Sequence, residues 1–130
     1  MGFGHLLPLG DTRAELLLIA RGYRRAAARQ APLAALIAEV CDLPEVLELV
    51  GRTEEALRRY FGARIATKPA AASLGTADRL ALVLMILGGW TLFLGKRDAP
   101  WVRATLDDEA MLERWATHWA RVLDATTPPF

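Results

Sequence analysis

The sequence predicts an all-α fold, and three observations support this prediction. In this chain of 130 residues, 53% of the side chains are hydrophobic, and the alternation of apolar and polar residues that marks β-strands is scarce. Helix-capping residues and prolines interrupt the apolar runs at intervals typical of helices. The segment 80–95 contains no charged residue, as expected of a helix that is buried on every side. We therefore expect a single helical domain over residues 1–130.

Three helices are predicted in the first half of the chain. The first spans residues 12–30 and begins with a capping box, in which Thr12 and Glu15 satisfy free N–H groups of the first turn. The second is a short helix over 32–41, opened by Pro32, because proline is tolerated in a first helical turn. The third spans 44–65. The loop 66–75, rich in small residues, then separates these helices from the rest of the chain.

Two further helices complete the prediction. The fourth is the apolar helix over 76–96, and the fifth ends near Asp124. Asp107 and Asp108 lie in the first turn of the fifth helix, where the helix dipole favours acidic groups. The loop 97–104 between these two helices contains a proline.

The uncharged segment 80–95 is too short to cross a membrane comfortably. Its sixteen residues rise about 24 Å as a helix, whereas the hydrocarbon core of a bilayer is ~30 Å thick. A domain of this size covers roughly half of such a helix, and a second subunit is the simplest cover for the other half. The segment therefore predicts a homodimer.

The expected dimer interface lies on the last two helices. On the fourth helix, small residues recur every seven positions, which permits another helix to approach closely. On the fifth helix, bulky apolar residues cover a face wider than docking on its own domain requires. The predicted interface consists of Ala81, Gly88, Gly95, Met111, Leu112, Trp115, His118, Trp119 and Val122.

Charge and composition argue against several classes of function. The net charge of +1 provides no field that would recruit nucleic acid or an anionic membrane. The one cysteine, Cys41, and the two histidines do not form a metal-ligand spacing. Phosphate-binding loops and nucleophile motifs are not found in the sequence. We therefore expect no enzyme activity, no metal and no cofactor, and the absence of a secretion signal favours the cytoplasm.

The order of elements resembles a known family. Five predicted elements follow one another along the chain. They are a helix rich in Leu and Arg, a short helix, a helix opened by Leu-Pro-Glu-Val-Leu at 43–47, an apolar helix with glycines, and a closing helix opened by Leu-Asp-Asp-Glu at 106–109. This order is similar to the C-terminal domain of TetR-type transcriptional repressors over residues 10–125. The resemblance implies a five-helix regulatory domain that binds a small effector and dimerises through a four-helix bundle of its last two helices. DNA would be bound only through the family's N-terminal helix-turn-helix, for which residues 1–11 leave no room.

The resemblance implies an effector site among the central helices. Their apolar faces predict a hydrophobic or aromatic effector, with the tyrosine hydroxyls as polar anchors, although core packing is the alternative interpretation for each aromatic residue. The predicted site consists of Ile19, Tyr23, Ile37, Val40, Leu57, Tyr60, Phe61, Met85, Ile86 and Trp90.

Two other classes of function stay open at this point. A helical adaptor or antitoxin-like module would bind another protein chain through the same apolar helices and would have no internal cavity. A small membrane-associated protein would insert residues 80–95 into the bilayer. A cavity of a few hundred Å3 would favour the effector domain over the adaptor.

Overall fold

The computed structural model describes residues 11–39, 55 and 59–130, with side chains described at 11–25, 55 and 59–130. The helices are α1 (Thr12–Glu39), α2 (residues 59–66), α3 (Thr76–Lys96), the one-turn α4 (Pro100–Arg103) and α5 (Asp108–Asp124), with a 3-10 turn at Pro69–Ala71. None of the described residues lies in a strand, which confirms the all-α prediction. The predicted fourth helix matches α3, and the predicted fifth matches α5.

The first helix is capped by Asp11, so the predicted capping box is wrong. The backbone N–H of Ala14 donates to Asp11 Oδ1 at 3.1 Å, as in an aspartate N-cap. Thr12 already lies within the helix, and its hydroxyl donates to Asp124 Oδ1 at 2.5 Å. Glu15 is bound to side chains far along the chain instead of to the helix start. Thr12 and Glu15, which fit a capping motif in the sequence, therefore bind side chains that are distant in the sequence.

The first helix also continues through Pro32 to Glu39, so the predicted break before a separate second helix is wrong. Proline removes only one backbone donor, and alanine, the strongest helix former, occupies much of the sequence on both sides of it. The start of the predicted third helix lies outside the described residues, whereas residues 55 and 59–65 are helical as predicted and the helix extends one residue further, to 66.

The core forms where α1, α3 and α5 meet, with α2 packed beside them. Two indole groups tie the three helices together inside it. Trp90 Nε1 donates to the carbonyl of Ala20 on α1 at 3.1 Å, and Trp115 Nε1 on α5 donates to the carbonyl of Ile86 at 2.7 Å. The rings of Trp90 and Trp115 are adjacent, with centroids 6.0 Å apart. These bonds fix which side of α3 faces the core.

We predict that Trp90→Phe lowers the free energy of unfolding by about 1–3 kcal/mol, because it removes a buried hydrogen bond and leaves a small void. Denaturant unfolding measures this loss. Trp101, which is 73% exposed, provides the matched control: Trp101→Phe should stay within about 0.5 kcal/mol of wild type. Equal losses in the two variants would contradict the anchoring role of Trp90.

Candidate functional site

One side of α3 is apolar and exposed to solvent. Leu84 is 57% exposed, Met85 52% and Leu92 65%, while Ile86 and Trp90 on the opposite side are buried. We call the exposed side the outer face of α3; its members are Leu80, Ala81, Leu84, Met85, Gly88, Leu92 and Gly95. A contiguous apolar surface of this kind marks an interaction site in soluble proteins.

Two adjacent glycines in α3, which point about 100° apart around the helix, have different surroundings. A Cβ atom added at Gly88 would meet no described atom within 4 Å, and the same holds at Gly95. At Gly89 the added Cβ would lie 3.7 Å from Cδ1 of Trp115. Gly88 therefore leaves the outer face flat, while Gly89 gives the indole of Trp115 room against the helix.

The predicted interface residues divide between surface and core. On α3, Gly88 and Gly95 are exposed and Ala81 is half-buried. On α5, Met111, Trp119 and Val122 are half-buried and His118 is exposed, with its ring 4.9 Å from that of Trp119.

Two of the predicted interface residues lie inside the protomer. Leu112 is 0% exposed and Trp115 is 4% exposed. Trp115 faces inward because its ring packs beside Gly89 and its N–H is bound to the backbone of α3. These two residues can therefore add no further buried surface on dimerisation.

The predicted effector-site residues do not share one surface. Ile19, Phe61, Ile86 and Trp90 belong to a single buried cluster. Met85 lies on the outer face of α3, away from that cluster. Tyr23 and Tyr60 are half-buried. The remaining members, Ile37, Val40 and Leu57, lie outside the described side chains.

The described part of the predicted effector site is closely packed. Between α1, α2 and α5 lies a cavity of about 10 Å3, lined by residues that include Ile19, Phe61 and Leu123. This volume suits a single water molecule, whereas sites for drug-sized ligands span roughly 300–1,000 Å3. The four buried members of the predicted site thus act as core among the described residues.

A buried ion cluster borders this cavity, and sequence reasoning missed it. The Glu15 carboxylate, with its side chain 8% exposed, accepts from Arg64 at 2.9 Å and from Lys68 Nζ at 2.7 Å. A carboxylate removed from water without such partners would cost several kcal/mol. The cluster joins the start of α1 to the end of α2 and the turn that follows.

Opposite charges also line the contact between α1 and α5. Arg13 pairs with Glu113, and Arg24 lies 3.4 Å from Asp108. The hydrogen bond from Arg13 lowers the pKa of Glu113 below its ordinary value. The arginines of α1 that pair here are matched by acids from α5, so this contact is not a site for phosphate groups.

At the α3–α5 connection an open groove of about 480 Å3 is lined by residues that include Arg97, Arg103 and Asp108. Arg97 pairs with Asp108 at 2.7 Å across it. The described residues contain no group of histidine, cysteine and acidic side chains able to hold a metal ion.

Among the described helices, α3 is the one long and apolar enough to cross a membrane, with a mean hydropathy of 1.6 over its most apolar window, 28% of which is buried. Comparison with family models, curated proteins and solved structures gave no match. The outer face of α3 is thus the feature of the described surface from which a function can be argued.

We predict that Glu15→Gln lowers the free energy of unfolding by about 2 kcal/mol or more. This is less than the 3–5 kcal/mol of a fully buried pair, because the Arg64 side chain stays 24% exposed. Denaturant unfolding is the measurement. Glu55→Gln is the control, since Glu55 pairs with Arg59 at the surface, and it should change stability by under about 0.5 kcal/mol.

We predict that Glu113→Gln destabilises the protein at neutral pH and that this difference disappears in acid. The folded-state pKa of Glu113 is depressed by Arg13, so its contribution is present above the unfolded-state pKa and is lost as the pH falls through the folded-state pKa. Unfolding of both proteins at neutral pH and near about pH 2 measures it. A difference that persists unchanged in acid would contradict the pairing.

Proposed function

We propose that this chain is a helical homodimerisation module, corresponding to the part of a TetR-type regulatory domain that joins two subunits. The observation that carries the proposal is the outer face of α3, on which Leu84 and Leu92 are more than half exposed. Burial of such side chains in an interface is favourable by about 25 cal/mol per Å2 of apolar surface. The opposite side of the same helix is held in the core by Trp90.

The surroundings of α3 favour a protein partner over a lipid bilayer. The helices packed on its core side expose charged pairs such as Arg13–Glu113, which hydrocarbon would not accommodate.

The half-buried residues of α5 extend this surface. Met111 and Trp119 pack against the core while keeping part of their surface in solvent. A second subunit on α3 and α5 would form the four-helix bundle that the resemblance implies. A substitution at Trp119 would disturb the packing of the protomer core as well as this surface. Leu92 is therefore the better position at which to test dimerisation.

Binding of a small hydrophobic effector is a separate part of the proposal and rests on the resemblance. In a regulatory domain the effector must bind one arrangement of the two subunits more tightly than another, since equal affinity shifts no equilibrium. Tyr23 and Tyr60 are its proposed polar anchors. The described core around Phe61 is closely packed and encloses a cavity of about 10 Å3, which favours the adaptor alternative over effector binding. An effector that bound between the described helices would have to separate them.

We predict that Leu92→Glu converts a dimer into a folded monomer, because it places an unpaired charge in the apolar interface. Analytical ultracentrifugation measures the mass, and circular dichroism checks the helical content. Ala63→Glu is the matched control: Ala63 is exposed on α2, and α2 contacts the core side of α3 through Gly62 and Val83.

The control should remain dimeric. A monomeric wild type at micromolar concentration, or a Leu92→Glu protein that stays dimeric, would contradict the proposed function. The membrane-associated alternative would be favoured by two results together: the wild type forms no dimer in solution, and it binds lipid vesicles whereas Leu92→Glu does not.

A further inference from the structure

Five of the seven members of the outer face of α3 form a row that is symmetric in side-chain size about Gly88, whereas Leu80 and Met85 have Lys96 and Thr91 at their mirror positions. Leu84 and Leu92 lie four residues on either side of it, and Ala81 and Gly95 lie seven residues on either side. With 3.6 residues per turn, these five positions fall within about 40° of one line along the helix. The pattern is therefore a small–large–small–large–small row centred on Gly88.

We infer that the partner of this face is a second copy of the chain, packed with its α3 antiparallel and with Gly88 on the two-fold axis. The inference rests on the proposed function and adds orientation and register to it. A two-fold interface brings the same surface from both subunits together, so the surface must match itself. A row that is symmetric about its midpoint meets this requirement when the helices are antiparallel.

The antiparallel register matches side chains by size. Leu84 lies at the level of Leu92 of the partner subunit, and Ala81 lies at the level of Gly95 of the partner subunit. Gly88 lies against the partner's Gly88, where the two backbones can approach closely because no Cβ stands between them. The leucines, which are more than half exposed in the single chain, then pack beside one another on both sides of the axis.

The charges at the ends of α3 select the same orientation. Asp78 and Lys96 are exposed, and both lie about 80° from Gly88 on the same flank of the helix. Asp78 lies ten residues before Gly88, and Lys96 lies eight residues after it. In the antiparallel pair, Asp78 and the partner's Lys96 are therefore offset by about 3 Å along the helix axis. In a parallel two-fold pair the charged flanks of the two helices would lie on opposite sides of the interface, so Asp78 and Lys96 would have no such partner.

Cysteine cross-linking tests the register, in full-length chains in which Cys41 is replaced by serine. Ala81→Cys and Gly95→Cys chains refolded together should form a disulfide-linked dimer under mild oxidation, because these two positions lie at the same level in the antiparallel pair. Leu84→Cys alone should not, because its two copies lie about 12 Å apart along the axis, beyond the ~7 Å Cα separation that a disulfide spans. Leu84→Cys and Leu92→Cys chains refolded together should cross-link. Gly89→Cys, on the core side, is the negative control.

Charge reversal tests the orientation without adding a cysteine. Asp78→Lys and Lys96→Asp should each raise the dimer dissociation constant several-fold at low salt, and the double variant should restore it because both ion pairs are re-formed with reversed sign. Sedimentation equilibrium measures these constants. Failure of the double variant to recover would overturn the antiparallel pairing.

The outcomes separate this inference from the proposed function. A dimer in which Leu84→Cys and Leu92→Cys each cross-link to themselves would overturn the antiparallel register while leaving homodimerisation intact. A chain that sediments as a monomer and forms no cross-link at any position would overturn both. A dimer with the pattern expected for Gly88 on the axis supports both.

Discussion

The rest of the structure depends on how the apolar helix α3 is shielded from water. This helix is uncharged from Leu80 to Gly95, and a chain of this length has enough apolar surface to bury one of its sides. The indoles of Trp90 and Trp115 bind backbone carbonyls across the helix contacts. They therefore fix the rotation of α3 about its own axis and decide which residues are left outside.

The charged groups set how the surrounding helices are arranged. Glu15 holds α1 against Arg64 and Lys68, and the pairs between α1 and α5 give those two helices one favourable alignment. Buried or half-buried ion pairs add little net stability compared with apolar contacts. Their effect here is on register, because sliding α1 would leave the Glu15 carboxylate buried without a cation.

The features that the sequence predicted correctly are local ones. The bounds of α3 match the prediction, and α5 begins after its capping residue Asp107. The orientation of α3 was not predicted, because Met85, grouped with Ile86 and Trp90 in the predicted effector site, is 52% exposed. The features that it missed depend on distant contacts: the partners of Glu15 lie 49 and 53 residues away, and Trp115 is buried because Gly89 makes room for it. Periodicity also cannot distinguish a residue that lines a cavity from one that fills it.

In the proposed dimer, the two adjacent glycines of α3 would couple folding to assembly. Each glycine weakens an isolated helix by about 1 kcal/mol relative to alanine, so the helical state of α3 relies on contacts to its sides. Gly89 obtains its contact from Trp115 within the chain, whereas a Cβ at Gly88 would meet none among the described residues. In the proposed dimer the partner subunit would supply that neighbour, and the stability of the protein would then depend on its concentration, so that a cell that makes little of it would hold a less stable fold.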